Sequence, residues 1–319
     1  MSEQTWPMSP LPWQQTRWRE VSNALRENRL SHALLVSGSA GIGKQHFCRA
    51  LAALLLCHQR TGEAACGHCK SCDLLRAGSH SDMQWVGVEE GSRQIKIDQI
   101  RRFIEFASRT AALGEYKVVL LKPAEAMNAN AANALLKTLE EPADNTHLLL
   151  IGDDVSRLLP TLRSRCQPLP LADPAKAQSL SWLGQVCGEP RLAEELLEAA
   201  AGKPLQAREI FLAGQLDAKK SQHKNLDALL SGAVSALDYP RLVADEDLAD
   251  ILGQFCARLE KNIRQRVGMG ERNLTKQFQL LDYLLKERRA VVAGANPNRQ
   301  LCIETGALQL VQLIGGRRQ

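Results

Sequence analysis

Residues 32–37 form a short apolar run that stops at a glycine-rich stretch, and an alanine- and leucine-rich segment of helical length, residues 44–57, follows. That order predicts a strand, a tight turn and a helix. Apolar runs at 83–88, 117–121 and 147–151, and one around Leu169, predict further strands. Between them the period becomes helical. Ile97, Ile100, Ile104 and Ala107 share one face, with Asp98 in the first turn, and a second helix is expected over 128–141, where Pro142 stops it. Strands alternating with helices in this way predict a parallel sheet covered on both faces.

After about Pro170 the strand-like runs vanish and helical patterns follow one another, separated by Gly188-Glu189-Pro190 and Gly202-Lys203-Pro204. The expected fold class is therefore α/β, then all-α. Three domains are expected: residues 1–169 with the sheet, a small helical domain over 170–213, and a second helical domain over 214–319. Helices are expected at 248–267 and 274–292 in the last domain, and a frayed end at 315–319. No internal repeat or long low-complexity segment is present. Arg258, Lys261, Arg264 and Arg266 could touch DNA, but the spacing is better explained as a solvated helix face.

Composition narrows the functional classes. The chain has 319 residues, 45% hydrophobic, 24% charged and only 4% aromatic, which suits a soluble, helix-rich protein and argues against a base-stacking platform for single strands. The net charge of +5 suits work near DNA or acidic partners but does not select it. Residues 1–13 show no basic segment followed by an apolar one, and the longest apolar run, 50–57, is far too short to span a bilayer, so a cytoplasmic protein without membrane contact is expected.

The turn after the first strand reads Gly38-Ser39-Ala40-Gly41-Ile42-Gly43-Lys44. Gly38, Gly41 and Gly43 would let backbone N–H groups point at phosphate oxygens at a helix N-terminus, and Lys44 would reach the outer phosphates. A hydroxyl should follow to hold magnesium, yet Gln45 stands there, and an amide suits that hard ion poorly. Hydrolysis would also need acids at the end of a later strand. The strand over 117–121 runs instead into Lys122-Pro123. Glu125 comes three residues late and reads better as a surface helix residue. Two losses in one site argue against hydrolysis, and ATP binding by this chain is not expected.

Four of the nine cysteines cluster as Cys57-x8-Cys66-x2-Cys69-x2-Cys72. Such spacing lets thiolates curl around one tetrahedral zinc ion, and four sulfur ligands leave no open position, so a structural site is expected. His58 and His68 are not expected to ligate. Cys48, Cys166, Cys187, Cys256 and Cys302 are scattered, and are expected to be unpaired and mostly small core residues. Ser164-Arg165-Cys166 follows the last strand and a short helix. Its arginine can be an ordinary surface residue or a finger reaching a neighbour's nucleotide, and the residues alone favour the former.

Taken together, the loop from Gly38 to Lys44, the cysteine insertion after its helix, the run Ala131-Ala132-Asn133-Ala134-Leu135-Leu136-Lys137-Thr138-Leu139-Glu140-Glu141-Pro142, and Ser164-Arg165-Cys166 resemble the clamp-loader branch of the AAA+ proteins. More narrowly they resemble the delta-prime subunits of bacterial DNA polymerase III. The motifs span residues 31–166; the helical remainder is similar only in length and order. The resemblance implies a RecA-like AAA+ domain, a small helical lid and a C-terminal collar domain that joins a hetero-oligomeric ring. It implies motor (gamma/tau) and delta subunits as partners and, through them, the sliding clamp and primer-template DNA. It implies zinc on Cys57, Cys66, Cys69 and Cys72, and gives Arg165 the role of a finger acting in trans.

Where a hydrolysing motor subunit of that family would show a threonine after the strand at 147–151, this chain has Gly152-Asp153. Where its lid would supply an arginine, Leu205 stands. All these departures suggest a non-hydrolysing stator whose glycine loop survives as a folding element. Two other readings fit the residues less well. An active AAA+ ATPase lacks its magnesium hydroxyl and acids, and a zinc-stabilised DNA-binding module would need more basic residues than Arg60, Lys70 and Arg76 near the cysteines.

Overall fold

The computed structural model describes residues 6–271 and 273–314, so the frayed end expected at 315–319 lies outside the described residues. A 3-10 turn at Pro12–Gln14 leads into α1 (Gln15–Arg26), then β1 (Ala33–Ser37), α2 (Lys44–Leu56), α3 (Lys70–Arg76), β2 (Met83–Gly87), α4 (Ile97–Ser108), β3 (Lys117–Lys122), α5 (Ala129–Glu140), β4 (Thr146–Gly152), α6 (Pro160–Arg163) and β5 (Gln167–Pro170). Helices α7 (Lys176–Cys187), α8 (Pro190–Ala199), α9 (Pro204–Leu212), α10 (Leu216–Leu230), α11 (Tyr239–Leu242), α12 (Leu248–Gly268), α13 (Thr275–Val292) and α14 (Arg299–Ile314) follow. All the expected strands form, and they pair in the order β2-β3-β4-β1-β5 with every neighbouring pair parallel.

Successive strand residues point to opposite faces, so each apolar run supplies two cores. Leu34, Val36, Val118, Leu120, Leu149 and Ile151 pack with Trp18 of α1 and with Phe47 and Leu51 of α2. Leu35, Val119, Leu121, Leu148 and Leu150 pack with Ile100 and Phe103 of α4 and with Leu135 and Leu139 of α5. Fully burying a side chain of this size stabilises by ~1.5–3 kcal/mol, which is why the sheet centre is almost entirely Leu, Val and Ile. Asn128 sets the start of α5 by accepting the Ala131 N–H at 2.8 Å. Gln99, in the first turn of α4, ties that helix to the end of β2 by donating to the Gly87 carbonyl at 2.6 Å.

The chain divides into two compact units, Met1–Glu194 with Lys203–Arg208, and Glu195–Gly202 with Glu209–Gln319. The first holds the sheet. In the second, Leu229 of α10, Tyr239 of α11, Leu252, Phe255 and Leu259 of α12, Leu284 of α13 and Ile303, Ala307 and Leu310 of α14 form one core. A Cβ at Gly306 would stand 3.0 Å from the Phe255 ring, so a hydrogen there lets α14 lie close on α12. Asp247 caps α12 through the Ala249 N–H at 2.8 Å. Of the four basic residues singled out on α12, Arg258 pairs with Asp227 at 3.0 Å and Arg266 with Glu271 at 2.7 Å, as a solvated helix face would. No described helix is long and apolar enough to cross a membrane.

Candidate functional site

The glycine loop joins the C-terminal end of β1 to α2, the place where an open parallel sheet offers a ligand crevice. Gly41 (φ 84°) and Gly43 (φ 91°) hold left-handed backbone, and a Cβ at Gly38 would come within 2.6 Å of the Leu171 carbonyl oxygen. Lys44 opens α2 and is 5% exposed. Its ammonium donates to the carbonyls of Gly38 at 2.6 Å and Ser39 at 2.7 Å and pairs with Asp153 Oδ1 at 2.6 Å. An ammonium has three N–H groups, and these three partners satisfy all of them.

The departures that the sequence shows one by one meet here as a network. Lys122, at the end of β3, donates from Nζ to Gln45 Oε1 at 2.6 Å. Burial holds the Lys122 ammonium below the usual lysine range; Asp153 pulls it back up, while Lys44 and Arg49 push it further down. Asp153 follows β4, and its backbone N–H, like that of Asp154, donates to Glu125 Oε1, at 3.0 and 3.3 Å. Glu125 is therefore not the surface helix residue expected from sequence. It lies half-buried in a 3-10 turn, Ala124–Ala126, and its carboxylate shapes the loop that carries Asp153.

The N-terminal segment covers the loop from outside. Trp13 Nε1 donates to the Ile42 carbonyl at 2.9 Å, and the Gln14 amide donates to Ile42 at 3.1 Å and to Gly43 at 3.0 Å. Leu205 belongs to the same roof, since a Cβ at Gly43 would stand 3.3 Å from its Cδ1 and 2.5 Å from Leu11. Nothing in the local sequence of residues 11–14 marks them as part of this site.

Cys57, Cys66, Cys69 and Cys72 form the second constellation, with all four sulfurs within 4.8 Å of one another. Neither His58 nor His68 joins them; the His68 ring nitrogen Nδ1 donates to the Cys66 carbonyl at 2.9 Å. The Sγ pairs lie 3.9 Å (Cys57–Cys69), 4.0 Å (Cys66–Cys72) and 3.6 Å (Cys69–Cys72) apart. Four sulfurs each ~2.3 Å from a central zinc would be ~3.8 Å apart, so the cluster fits a tetrahedral ion. The N–H groups of Gln59 and Cys66 donate to Cys57 Sγ at 3.4 and 3.3 Å, the orientation that stabilises a thiolate ligand. Burial pushes the Cys57 and Cys72 thiols up. It also pushes Cys69 up, but backbone N–H groups of Cys72 and His58, with the neighbouring thiols, bring that group down to about 6. The other five cysteines are free thiols, and Cys48, Cys166, Cys256 and Cys302 are buried.

Arg165 follows α6 and is the third element. Its Nε and Nη2 both reach Glu140 Oε1, at 2.8 and 2.5 Å, and Nη1 donates to the Thr161 carbonyl at 3.0 Å. The arginine is 35% exposed and the glutamate 51%. Glu140 ends α5, so the fold joins two of the motifs quoted from the sequence, the run ending at Pro142 and Ser164-Arg165-Cys166.

Residues 13–175 match the family described as DNA polymerase III, delta subunit. The delta-prime subunit of DNA polymerase III from Pseudomonas aeruginosa is 39% identical over 95% of this chain and 98% of its own length. The chain belongs to the delta-prime subunits of DNA polymerase III. The delta-prime subunit of Yersinia pestis is 34% identical over 83% of this chain and 79% of its own. The tau/gamma subunit of Haemophilus influenzae is 34% identical over 46% of this chain and 21% of its own. Among solved structures, a DNA polymerase III gamma subunit-related protein of Thermotoga maritima superposes with a TM-score of 0.51 at 17% identity, covering 93% of this chain and 99% of the other, a likeness of fold. The fold shared with that protein is the five-stranded parallel sheet with its helices.

Proposed function

We propose that this delta-prime chain works in the clamp loader of DNA polymerase III as a subunit that does not hydrolyse ATP, and that Arg165 completes the ATP site of an adjacent motor subunit. The carrying observation is the Lys122 ammonium on Gln45. In phosphate-loop enzymes that region, between the residue after the loop lysine and the end of the strand that carries the acids, holds magnesium through a hydroxyl and an aspartate. Here both contributors are replaced, and one brings its own positive charge. A divalent ion in that position would be repelled by the ammonium. Lys44 is equally committed, to the loop carbonyls and Asp153. Both findings support a loop retained for folding.

Arg165 suits the complementary role because its guanidinium is held at the surface by Glu140 and Thr161 instead of being buried in a core. The four thiolates would hold a structural zinc that fixes the excursion between α2 and α3 and supplies no open coordination position. Residues 1–169 are assigned to the AAA+ domain, 170–213 to the lid and 214–319 to the collar. The partners follow as motor (gamma/tau) and delta subunits in a cytoplasmic ring, with the clamp and primer-template DNA reached through them.

The test is ATP turnover by a loader reconstituted from motor, delta and this chain with clamp and primed DNA. Arg165→Ala is expected to lower turnover by roughly 10³-fold or more while the assembly still forms. Unchanged turnover overturns the finger assignment. Hydrolysis by this chain alone, abolished by Lys44→Ala, overturns the non-hydrolysing one.

A further inference from the structure

We infer that Glu140 is a positioning residue for Arg165, holding the guanidinium in the orientation from which it reaches a partner's nucleotide; this rests on the reading of Arg165 given above. A guanidinium has five N–H donors in a rigid fork. Nε and Nη2 each direct one to Glu140 Oε1, and Nη1 directs one to the Thr161 carbonyl. Two remain, one on each terminal nitrogen, which is the pair that can grip phosphate oxygens bidentately. The contacts that hold the arginine therefore leave its phosphate-binding pair free.

The arrangement has little value as a stabilising contact. Both side chains are well exposed, the arginine at 35% and the glutamate at 51%, and ion pairs in such settings add almost nothing to folding. It has more value as preorganisation. A free arginine side chain loses much of its rotamer freedom when it engages a ligand, and one already held by Glu140 and Thr161 has lost that freedom beforehand. The gain is bounded by the worth of the ion pair itself, which corresponds to a factor of up to about 5 in the rate of a step that needs the arginine in place. Thr161 contributes only a backbone carbonyl, so Glu140 is the side chain that can be varied.

The experiment uses the complete reconstituted loader with clamp and primed DNA, measuring turnover against ATP concentration for Glu140→Ala, Glu140→Gln, Arg165→Ala and the double variant Glu140→Ala with Arg165→Ala. Glu140→Ala is expected to lower kcat about 2- to 5-fold with KM and the melting temperature of the chain unchanged. Glu140→Gln keeps the accepting oxygen and is expected to restore most of the turnover. In the Arg165→Ala background, Glu140→Ala is expected to have no further effect, because it acts through a side chain that is gone. If Arg165→Ala lowers turnover while Glu140→Ala leaves it unchanged or raises it, Glu140 does not position the arginine. Losses that multiply in the double variant overturn the inference as well. Full turnover in Arg165→Ala overturns the finger reading first, a result distinguishable from either of these.

Discussion

Replacing Lys44 by alanine separates a lysine that serves the fold from one that serves a nucleotide. The side chain is 5% exposed, and its ammonium bonds the carbonyls of Gly38 and Ser39 and pairs with Asp153. Hydrogen bonds from a charged donor contribute ~1.5–3 kcal/mol each, so the two loop carbonyls account for roughly 3 kcal/mol at the low end. The Asp153 side chain is 52% exposed, and water screening reduces that pair to below ~1 kcal/mol. Against this stands the cost of keeping the ammonium buried, and the expected net loss is ~3 kcal/mol. For a unit of this size that lowers the melting temperature by ~6–12 °C. Lys44→Met keeps the apolar stem and should lose less. Thermal unfolding followed by circular dichroism reads the effect, and turnover of the reconstituted loader, measured below the new melting temperature, should stay within about twofold of the native complex. An unchanged melting temperature together with lost turnover would refute the reasoning, since the lysine would then be acting on bound phosphate.

Two further outcomes follow from other parts of the chain. Metal analysis of the purified protein should find one zinc per chain, and Cys72→Ser or a strong chelator should remove it and loosen the loop from Cys57 to Cys72, because structural zinc contributes roughly 10 to 16 kcal/mol of apparent binding energy to folding; a metal-free chain with full stability would count against the site. His147, whose Nδ1 donates to the Ser31 carbonyl at 3.1 Å, is held below the ordinary histidine value by burial, with Ser31 pulling it up and His32 and Arg60 pushing it down. Below pH ~6.5 the unfolded chain takes up a proton that the fold resists, so stability present above that pH is lost as pH falls toward the folded value, with a slope of up to ~1.4 kcal/mol per pH unit for this group. His147→Gln should flatten urea midpoints measured between pH 5 and 7, and an equal slope in both proteins would exclude His147 as the cause.

How much of this was legible beforehand depended on the distance over which each signal acts. The strand–turn–helix around Gly38 to Lys44, the Asn128 start and Pro142 stop of α5, and the cysteine spacing all involve residues a few positions apart, where dihedral preference, periodicity and ligand reach operate directly. Glu125 reads as a surface residue from sequence because its role depends on the N–H groups of Asp153 and Asp154, which belong to a different strand end. The roof of Trp13 and Gln14 is invisible in the sequence because no local pattern distinguishes them.

The sequence by itself therefore determined the element types, the parallel sheet, the candidate metal ligands and the absence of a magnesium hydroxyl and strand acids. Only the tertiary structure decided that Gln45, Lys122, Asp153 and Lys44 form one charge network, and that Arg165 rests on Glu140. The reason is the order of the strands. With β1 set between β4 and β5, and β3 beyond β4, Ser37 comes into register with Gly152, and the C-terminal ends of three strands distant in sequence converge on the start of α2. Sheet order is settled by which apolar faces bury best together across the whole domain, and that choice is not contained in any one segment.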